Sequence, residues 1–418
     1  MSSPARGWAI GAAAAAPLLR VMLRRRAATG KEVSGRIGER YGIEGVPRPN
    51  GRLLWLHAAS VGEALSVLPV LEALPAEIFT LFTTGTVTSA RLLQQRLPDA
   101  GLEGRVAHRF VPLDVPAWVA RFLDHWRPDL ASFVESEIWP NILAACRARD
   151  IPTVLLNARM SVRSAARWCH VPAFAAELIG GFAWIAAQSD GDARRLVSLG
   201  GRNVEALGNL KFAAADLPSD EAELARLRGV LGGRSRWLAA STHPGDEEAA
   251  AEVHRRLAGA HPDLLTAIVP RHPERGAAIA ACLDGAPRRA LGQDPGDGIW
   301  IADTLGEVGL LYRLFPIVFM GKSFGSGGGQ NPLEPARLGC AVATGPATAN
   351  FADAVAALRA AGGLAEVADP AALAMWVDAM LSDPAARVVM GEAARAVASA
   401  QAELPALVAA RLATMIVG

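Results

Sequence analysis

Short apolar runs alternate with amphipathic stretches along most of this chain. Arg52–Leu56, Ile78–Phe82, Leu130–Val134, Thr153–Leu156, Trp184–Ala187 and Val204–Leu207 are too short for buried helices and read as strands. Gly62–Leu74 and Val87–Leu97 carry helical spacing between the first of them, and helix-like stretches follow the later ones. Apolar runs without alternation suit strands covered on both faces, and strands separated by helices suit a parallel sheet. A polar helical stretch, residues 213–235, interrupts the series. It restarts at Trp237–Ala240 and continues through Leu264–Val269, Ile299–Ala302, Ile317–Met320, Ala341–Ala343 and Leu364–Val367. Helices after Pro370 close the chain. The pattern predicts an α/β protein of two doubly wound, Rossmann-like domains facing a cleft. In such sheets ligands lie at the carboxyl ends of strands.

The N-terminus breaks this pattern. Trp8 to Leu19 is nearly all apolar, and Arg20 and Arg24-Arg25-Arg26 follow. The run is short for a bilayer, which takes roughly 20 residues to span. Its basic cluster follows the apolar run, the reverse of a signal peptide. Charges so placed predict a membrane anchor on the cytoplasmic face, in contact with anionic lipid. The alternative is an Ala-rich helix packed on the body. The expected division is an anchoring helix at 1–30, a first domain at 31–212 and a second at 213–418.

Composition narrows the chemistry. Of 418 residues, 51% are hydrophobic and 20% charged, which excludes a disordered chain. A formal charge of +1 gives no pull toward nucleic acid, which is not expected as a partner. The four cysteines are scattered, without a C-x-x-C pair, and the eight histidines show no H-x-x-x-H in a helical run. Neither a disulfide framework nor a metal site is expected. P-loop and dinucleotide fingerprints are missing from the sequence.

The candidate chemistry falls just after the strands. Ser60, Gly62 and Glu63 follow the strand at 52. Glu63 lies in a first helical turn, where the macrodipole favours the anion, so it can act as a general base or simply support the helix. Glu135 and Glu137 follow the strand at 130, with Glu137 alternatively pairing an arginine and Trp139 serving the core. Lys211 lies at the seam between the two series, as a cation for an anionic substrate or as a solvated linker residue. Ser241–His243, Val269–Pro273 and Asp303–Glu307 follow strands of the second series. With the run Gly327-Gly328-Gly329-Gln330-Asn331-Pro332-Leu333-Glu334 they form the pattern of a phosphate and ribose site. Asn331 suits an N-cap and Pro332 a first helical position. Glu334 either closes a capping box or accepts sugar hydroxyls.

Seven segments in order resemble the 3-deoxy-D-manno-octulosonic acid (Kdo) transferases: HAASVGE at His57–Glu63, ESEIWPN at Glu135–Asn141, GNLKF at Gly208–Phe212, STHPGDEE at Ser241–Glu248, VPRHPER at Val269–Arg275, DTLGE at Asp303–Glu307 and GGQNPLEP at Gly328–Pro335. The resemblance implies a GT-B fold and an inverting glycosyltransferase that moves Kdo from CMP-Kdo to a lipid A precursor at the cytoplasmic face of the inner membrane. It implies Glu63 as the base, with Glu135 and Lys211 supporting the transition state. Pro270, Arg271, Leu305, Gly306, Glu307, Asn331, Pro332, Leu333 and Glu334 would hold the CMP moiety. No cofactor or metal is implied. Other readings are a GT-B enzyme with a uridine-type donor and a non-catalytic nucleotide-sugar binder. Gln330 stands where the family usually has His, and Lys322 where it usually has a second Gly.

Overall fold

Seven parallel strands make the first sheet of the computed structural model, which describes residues 3–213, 216–325 and 327–417. They are β1 Arg52–Ala58, β2 Ile78–Thr84, β3 Val106–Phe110, β4 Leu130–Val134, β5 Thr153–Ala158, β6 Trp184–Ala187 and β7 Val204–Ala206. Their order is β3-β2-β1-β4-β5-β6-β7. Leu54, Leu56 and Ala58 join a core cluster on one face, while Leu53 and Trp55 join the cluster on the other. Burial on both faces explains the unbroken apolar runs.

β3 was not among the expected strands. Its residues Val-Ala-His-Arg-Phe are mostly polar or only partly buried, because it is the edge strand. Residues 36–44 cover its polar groups. Arg36 donates to the His108 carbonyl at 3.0 Å, and Arg109 pairs with Glu44 at 3.2 Å.

Six strands make the second sheet: β8 Arg236–Thr242, β9 Leu265–Pro270, β10 Gly298–Ile301, β11 Ile317–Met320, β12 Ala341–Thr344 and β13 Leu364–Glu366. Their order is β10-β9-β8-β11-β12-β13, and all are parallel. Each sheet reverses direction of build once, between β1 and β4 in the first and between β8 and β11 in the second. Such a reversal opens a crevice at the carboxyl edge.

The chain divides into one unit of Met1–Ala214 with Gln401–Gly418, and another of Ala215–Ala400. This corrects the expected second domain of 213–418. The helix Leu404–Val417 places Leu404, Val408, Ala409, Leu412 and Ile416 in the core cluster of Leu54, Val67 and Val70. These five positions form one helical stripe, and the stripe fits the first core.

The N-terminal helix runs from Ser3 to Ala28. Ala5 and Leu23 are buried, Trp8 donates to Asp114 at 3.0 Å, and the Arg20 guanidinium lies over Tyr41 and Trp118. Its other side exposes Ile10, Leu18, Val21 and Met22. Packing and an open apolar face thus coexist on one helix. Among the described residues, Pro384–Val417 is the helical stretch long and apolar enough to cross a membrane. Its two parts, Pro384–Ser399 and Leu404–Val417, bury Ala394 and Ala398 in the second unit and Val408 and Leu412 in the first. That burial fits core helices.

Candidate active site at the carboxyl edges of the two sheets

The β1/β4 crevice of the first sheet gathers the charged candidates. β1 ends at Ala58, and Ser60 caps the helix Val61–Ala73 by accepting the Glu63 N–H at 3.3 Å. The Glu63 carboxylate turns back to accept the Ser60 hydroxyl at 2.7 Å and the Ala59 N–H at 2.8 Å. The helix-supporting reading is therefore realised. Burial nevertheless raises the proton affinity of Glu63, aided by the nearby Glu135 and Glu137 carboxylates, against the lowering effect of its two hydrogen bonds. Desolvation and like charge thus act against the helix end, which favours the anion. A carboxylate with raised affinity is the stronger base.

Glu135 stands directly after β4 in the left-handed region, at φ +62°. Its amide donates to Leu156 O at 2.9 Å and its carbonyl accepts from Arg159 N at 3.3 Å. Its carboxylate forms an ion pair with Lys211. The solvated-linker reading of Lys211 is thus set aside. The turn Leu210–Phe212 that carries it is pinned from below: Asn157 Oδ1 accepts Leu210 N at 2.9 Å, and Gln401 Oε1 accepts Asn209 N at 2.6 Å. Asn157 is buried at φ +51°, inside a register irregularity between β5 and β6. A bulge there re-aims one side chain out of the ladder.

Glu137 meets a histidine and a tryptophan where an arginine was the alternative expected. Its Oε2 lies 3.4 Å from His57 Nε2 and accepts Trp139 Nε1–H at 2.6 Å. Burial works to raise its pKa, but His57 and Trp139 together hold it below the ordinary value. His57, at the end of β1, is fully buried. Trp139 is only partly buried and edges onto the His57 ring.

The second edge is built differently. Buried Asp246, whose own proton affinity is raised by burial, accepts the N–H groups of Lys322 at 2.7 Å and His243 at 2.9 Å, tying the β11 loop to the β8 loop across the crevice. Lys322 sits at φ +59°, a conformation that glycine adopts freely and lysine does not, which accounts for the glycine usual in the resembling sequences. The glycine run packs against its own chain. A Cβ on Gly327 would lie 2.5 Å from Lys322 O, and one on Gly328 would lie 2.8 Å from the Asn350 amide. The missing side chains of these glycines make room for Lys322 and Asn350. Gln330 Nε2 meets His243 Nε2 at 3.2 Å. Burial, with Lys322 and His272 nearby, keeps the His243 ring neutral and able to accept that amide proton.

Asn331 Oδ1 accepts Leu333 N at 3.1 Å while its Nδ2 donates to Glu334 Oε1 at 3.2 Å. The helix Leu333–Arg337 begins one residue later than expected, so Pro332 and not Asn331 is its N-cap, and Glu334 is drawn to the Asn331 side chain just ahead of it. Pro332 and Leu333 are buried. Pro270 is the buried last residue of β9, and exposed Arg271 is fixed by its N–H to Thr242 O at 3.0 Å. Leu305 is 81% exposed and Gly306 has φ +81°, so this loop shows its backbone to solvent. Glu307 is occupied by Arg289 at 2.6 Å and by Thr304, and these partners hold it below the usual carboxylate range. The first edge therefore brings Glu63, Glu135 and Lys211 together, and the second assembles the loops at 270, 305 and 331. Sequence reasoning missed His57 as a participant, and it missed Asn157, Asp246 and Gln401. A polar residue inside an otherwise apolar strand, as at His57 and Asn157, was the available signal.

Comparison with known proteins agrees with this geometry. A sequence profile described as "3-Deoxy-D-manno-octulosonic-acid transferase (kdotransferase)" matches residues 35–214. A relative from Arabidopsis thaliana, named "Probable 3-deoxy-D-manno-octulosonic acid transferase, mitochondrial", is 35% identical across 88% of this chain and 86% of its own. The 3-deoxy-D-manno-octulosonic acid transferases of Haemophilus influenzae and Bordetella pertussis are each 34% identical, covering 86% and 87% of this chain and 86% and 88% of their own. Among solved structures, a UDP-GlcNAc 2-epimerase from Neisseria meningitidis superposes with a TM-score of 0.57 over 88% of this chain and 99% of its own, at 14% identity. That likeness is one of fold and supports the GT-B type of two doubly wound domains. The carboxylates and lysine of the first edge lie within the matched segment, and relatives of one name run nearly the whole length: the chain belongs to the 3-deoxy-D-manno-octulosonic acid (Kdo) transferase family and is a glycosyltransferase.

Proposed function

We propose that this enzyme transfers Kdo from CMP-Kdo to a lipid A precursor of the lipid IVA type, with inversion, at the cytoplasmic face of the inner membrane. The observation that carries the reading is the grouping of Glu63, with its raised proton affinity, beside the Glu135–Lys211 ion pair at one sheet edge. Glu63 takes the proton of an acceptor hydroxyl while that oxygen attacks the anomeric carbon of Kdo. The bond to CMP breaks, and CMP leaves with the electron pair. Glu135 and Lys211 support the charge that develops.

On the second edge, Pro270, Arg271, the Leu305–Glu307 backbone and Asn331–Glu334 are read as the CMP holders. Exposed Arg271 and the open 305–306 backbone suit one phosphate, and Glu334 suits sugar hydroxyls. A CMP leaving group carries a single phosphate, so N–H groups and cations suffice to stabilise it and no divalent metal is required. The N-terminal helix is read as lying on the bilayer. Ala5, Trp8 and Leu23 tie one side to the first unit, while Ile10 and Leu18 with Arg24 and Arg25 face anionic lipid.

Mass spectrometry of the lipid after incubation with CMP-Kdo and a lipid A precursor tests donor, acceptor and number of additions together. A Kdo-bearing lipid formed with CMP release, in EDTA as well as without it, is the expected result. Release of UMP or UDP from a uridine-type donor, and never CMP, would refute the reading.

A further inference from the structure

Arg40 and Glu32 are buried, lie 3.1 Å apart from Nη2 to Oε2, and have no part in the transfer step above. We infer that Arg40 is a positioning residue for the base: it ties the loops leaving β2 and β3 to the segment after the N-terminal helix, and through Gly85 it steadies the turn that holds Glu63. The tie stands on geometry, and its bearing on rate rests on the proposed role of Glu63 as base.

The Arg40 guanidinium is engaged on every side. Nε and Nη2 donate to Glu32 Oε2 at 3.2 and 3.1 Å. Nη2 also donates to the Gly85 carbonyl at 2.7 Å, and Nη1 to the Val111 carbonyl at 3.1 Å. The Phe110 ring lies against the guanidinium, with its centroid 4.8 Å away. The Arg40 carbonyl in turn accepts the Leu113 N–H at 3.1 Å. Gly85 and Val111 are the first residues past β2 and β3, where the ladder runs out and a carbonyl needs another donor. A lysine donates from one nitrogen and does not span a carboxylate and carbonyls on two loops, whereas a planar guanidinium does. Glu32 supplies the anion without which so buried a cation would not be kept. It also accepts Arg26 Nε–H at 3.2 Å from the last turn of the N-terminal helix.

The path from Arg40 to the base is short. β1 and β2 pair as far as Ala58 and Thr84, so Ala59 and Gly85 are the next residues along the two chains. They lie close together: a Cβ on Gly85 would stand 3.2 Å from Ala59 O and 3.6 Å from Ala59 Cα. The Ala59 N–H is one of the two groups that hold the Glu63 carboxylate, at 2.8 Å, and the Ser60 hydroxyl is the other. With the Gly85 carbonyl released, the turn at Ala59 loses the neighbour it rests on, and the carboxylate loses its aim. A base displaced by about 1 Å is enough to cost a large part of the rate.

The test follows amide hydrogen exchange and Kdo transfer in the full-length protein in detergent. R40A should speed exchange over residues 57–63 and leave residues 208–212, the Lys211 turn, as in the wild type. Its kcat should fall roughly 10- to 100-fold with the donor KM unchanged, the mark of a misaimed base. R40K still answers Glu32 but does not span both carbonyls, and it serves if R40A does not fold. It should show the same local loosening and a kcat lower by roughly 10-fold. Exchange over 57–63 that stays at the wild-type rate in R40K overturns the tie. Faster exchange throughout the first unit, with the donor KM rising as kcat falls, would show general support of the fold and overturn it as well. Local loosening with an undiminished kcat would refute Glu63 as the base and leave the tie standing.

Discussion

The two sheet edges share a topology and differ in what holds their loops. At the first, side chains from distant segments meet: Glu135 pairs with Lys211 as opposite charges, and Glu137 faces the His57 ring. At the second, a buried carboxylate collects backbone N–H groups, and glycines let the loops lie against one another. The first arrangement fixes charge, and each loss leaves an unanswered partner. The second fixes shape, and its loops present backbone outward. The difference teaches that one topological position is secured either by paired side chains or by backbone packed on backbone, according to what the loops carry.

The comparison breaks most readily at Glu63. Glu63→Gln should lower kcat by roughly 10²–10⁴, the usual contribution of a general base, with the donor KM little changed. A variant that keeps its rate would remove acid–base chemistry from the first edge.

Next in size is acid sensitivity. His108 lies between Arg36, whose guanidinium donates to Nδ1 at 3.1 Å, and Thr84 at 2.9 Å from Nε2. Burial, with Arg36, Arg109 and Arg40, pushes its pKa down to about 3. A base with a depressed folded value stabilises the fold above its unfolded value near 6.5. That stability is lost as pH falls from there toward about 3, because the unfolded chain binds the extra proton. The loss should reach a few kcal/mol for the first unit, where the ring is packed. His108→Gln should flatten chemical unfolding midpoints measured between these limits. In the second unit the carboxylate of Glu223, held down to about 2 chiefly by Arg226, is exposed, and salt should screen most of its effect.

The second edge should respond in binding. Asn331→Ala removes both the bond from the Leu333 N–H and the Glu334 contact, and should raise the donor KM about 10-fold with kcat nearly kept, as expected for a lost interaction near 1.4 kcal/mol. A fall in kcat as large as that for Glu63→Gln would erase the distinction between the edges. Smallest is Lys322→Gly, which should stabilise the second unit by about 1 kcal/mol or leave it unchanged, since relief of the left-handed backbone competes with glycine's entropy. A marked loss of stability would show that the Lys322 side chain, and not its backbone, organises the loop.

Much of this was legible because strands buried on both faces leave continuous apolar runs, and because candidate residues follow such runs. β3 escaped because an edge strand carries His108 and Arg109 and borrows its cover from residues 36–44. Glu63 and Glu135 were found by their positions after strands, and Lys211 by its place at the seam between the two series. Their partners were not, since His57 and Glu137 lie 80 residues apart in the chain and nothing local records the contact. The glycines were seen but their packing was not legible, because a φ near +80° and a neighbour such as Asn350 are properties of the folded loop. The departures at Lys322 and Gln330 became intelligible only with a backbone angle and a contact to His243.

The returning helix Leu404–Val417 bears on the order in which the protein comes into being. The second unit is spliced into the first, and the covering stripe of Leu404, Val408, Leu412 and Ile416 leaves the ribosome after the whole of the second unit. At a synthesis rate of about 5–20 residues per second, the intervening stretch keeps the first sheet waiting for roughly 10 to 40 seconds. During that interval the cluster around Leu54, Val67 and Val70 lacks its lid and is a natural landing place for a chaperone. A premature stop just ahead of Leu404 would therefore cripple the half of the enzyme that was translated first.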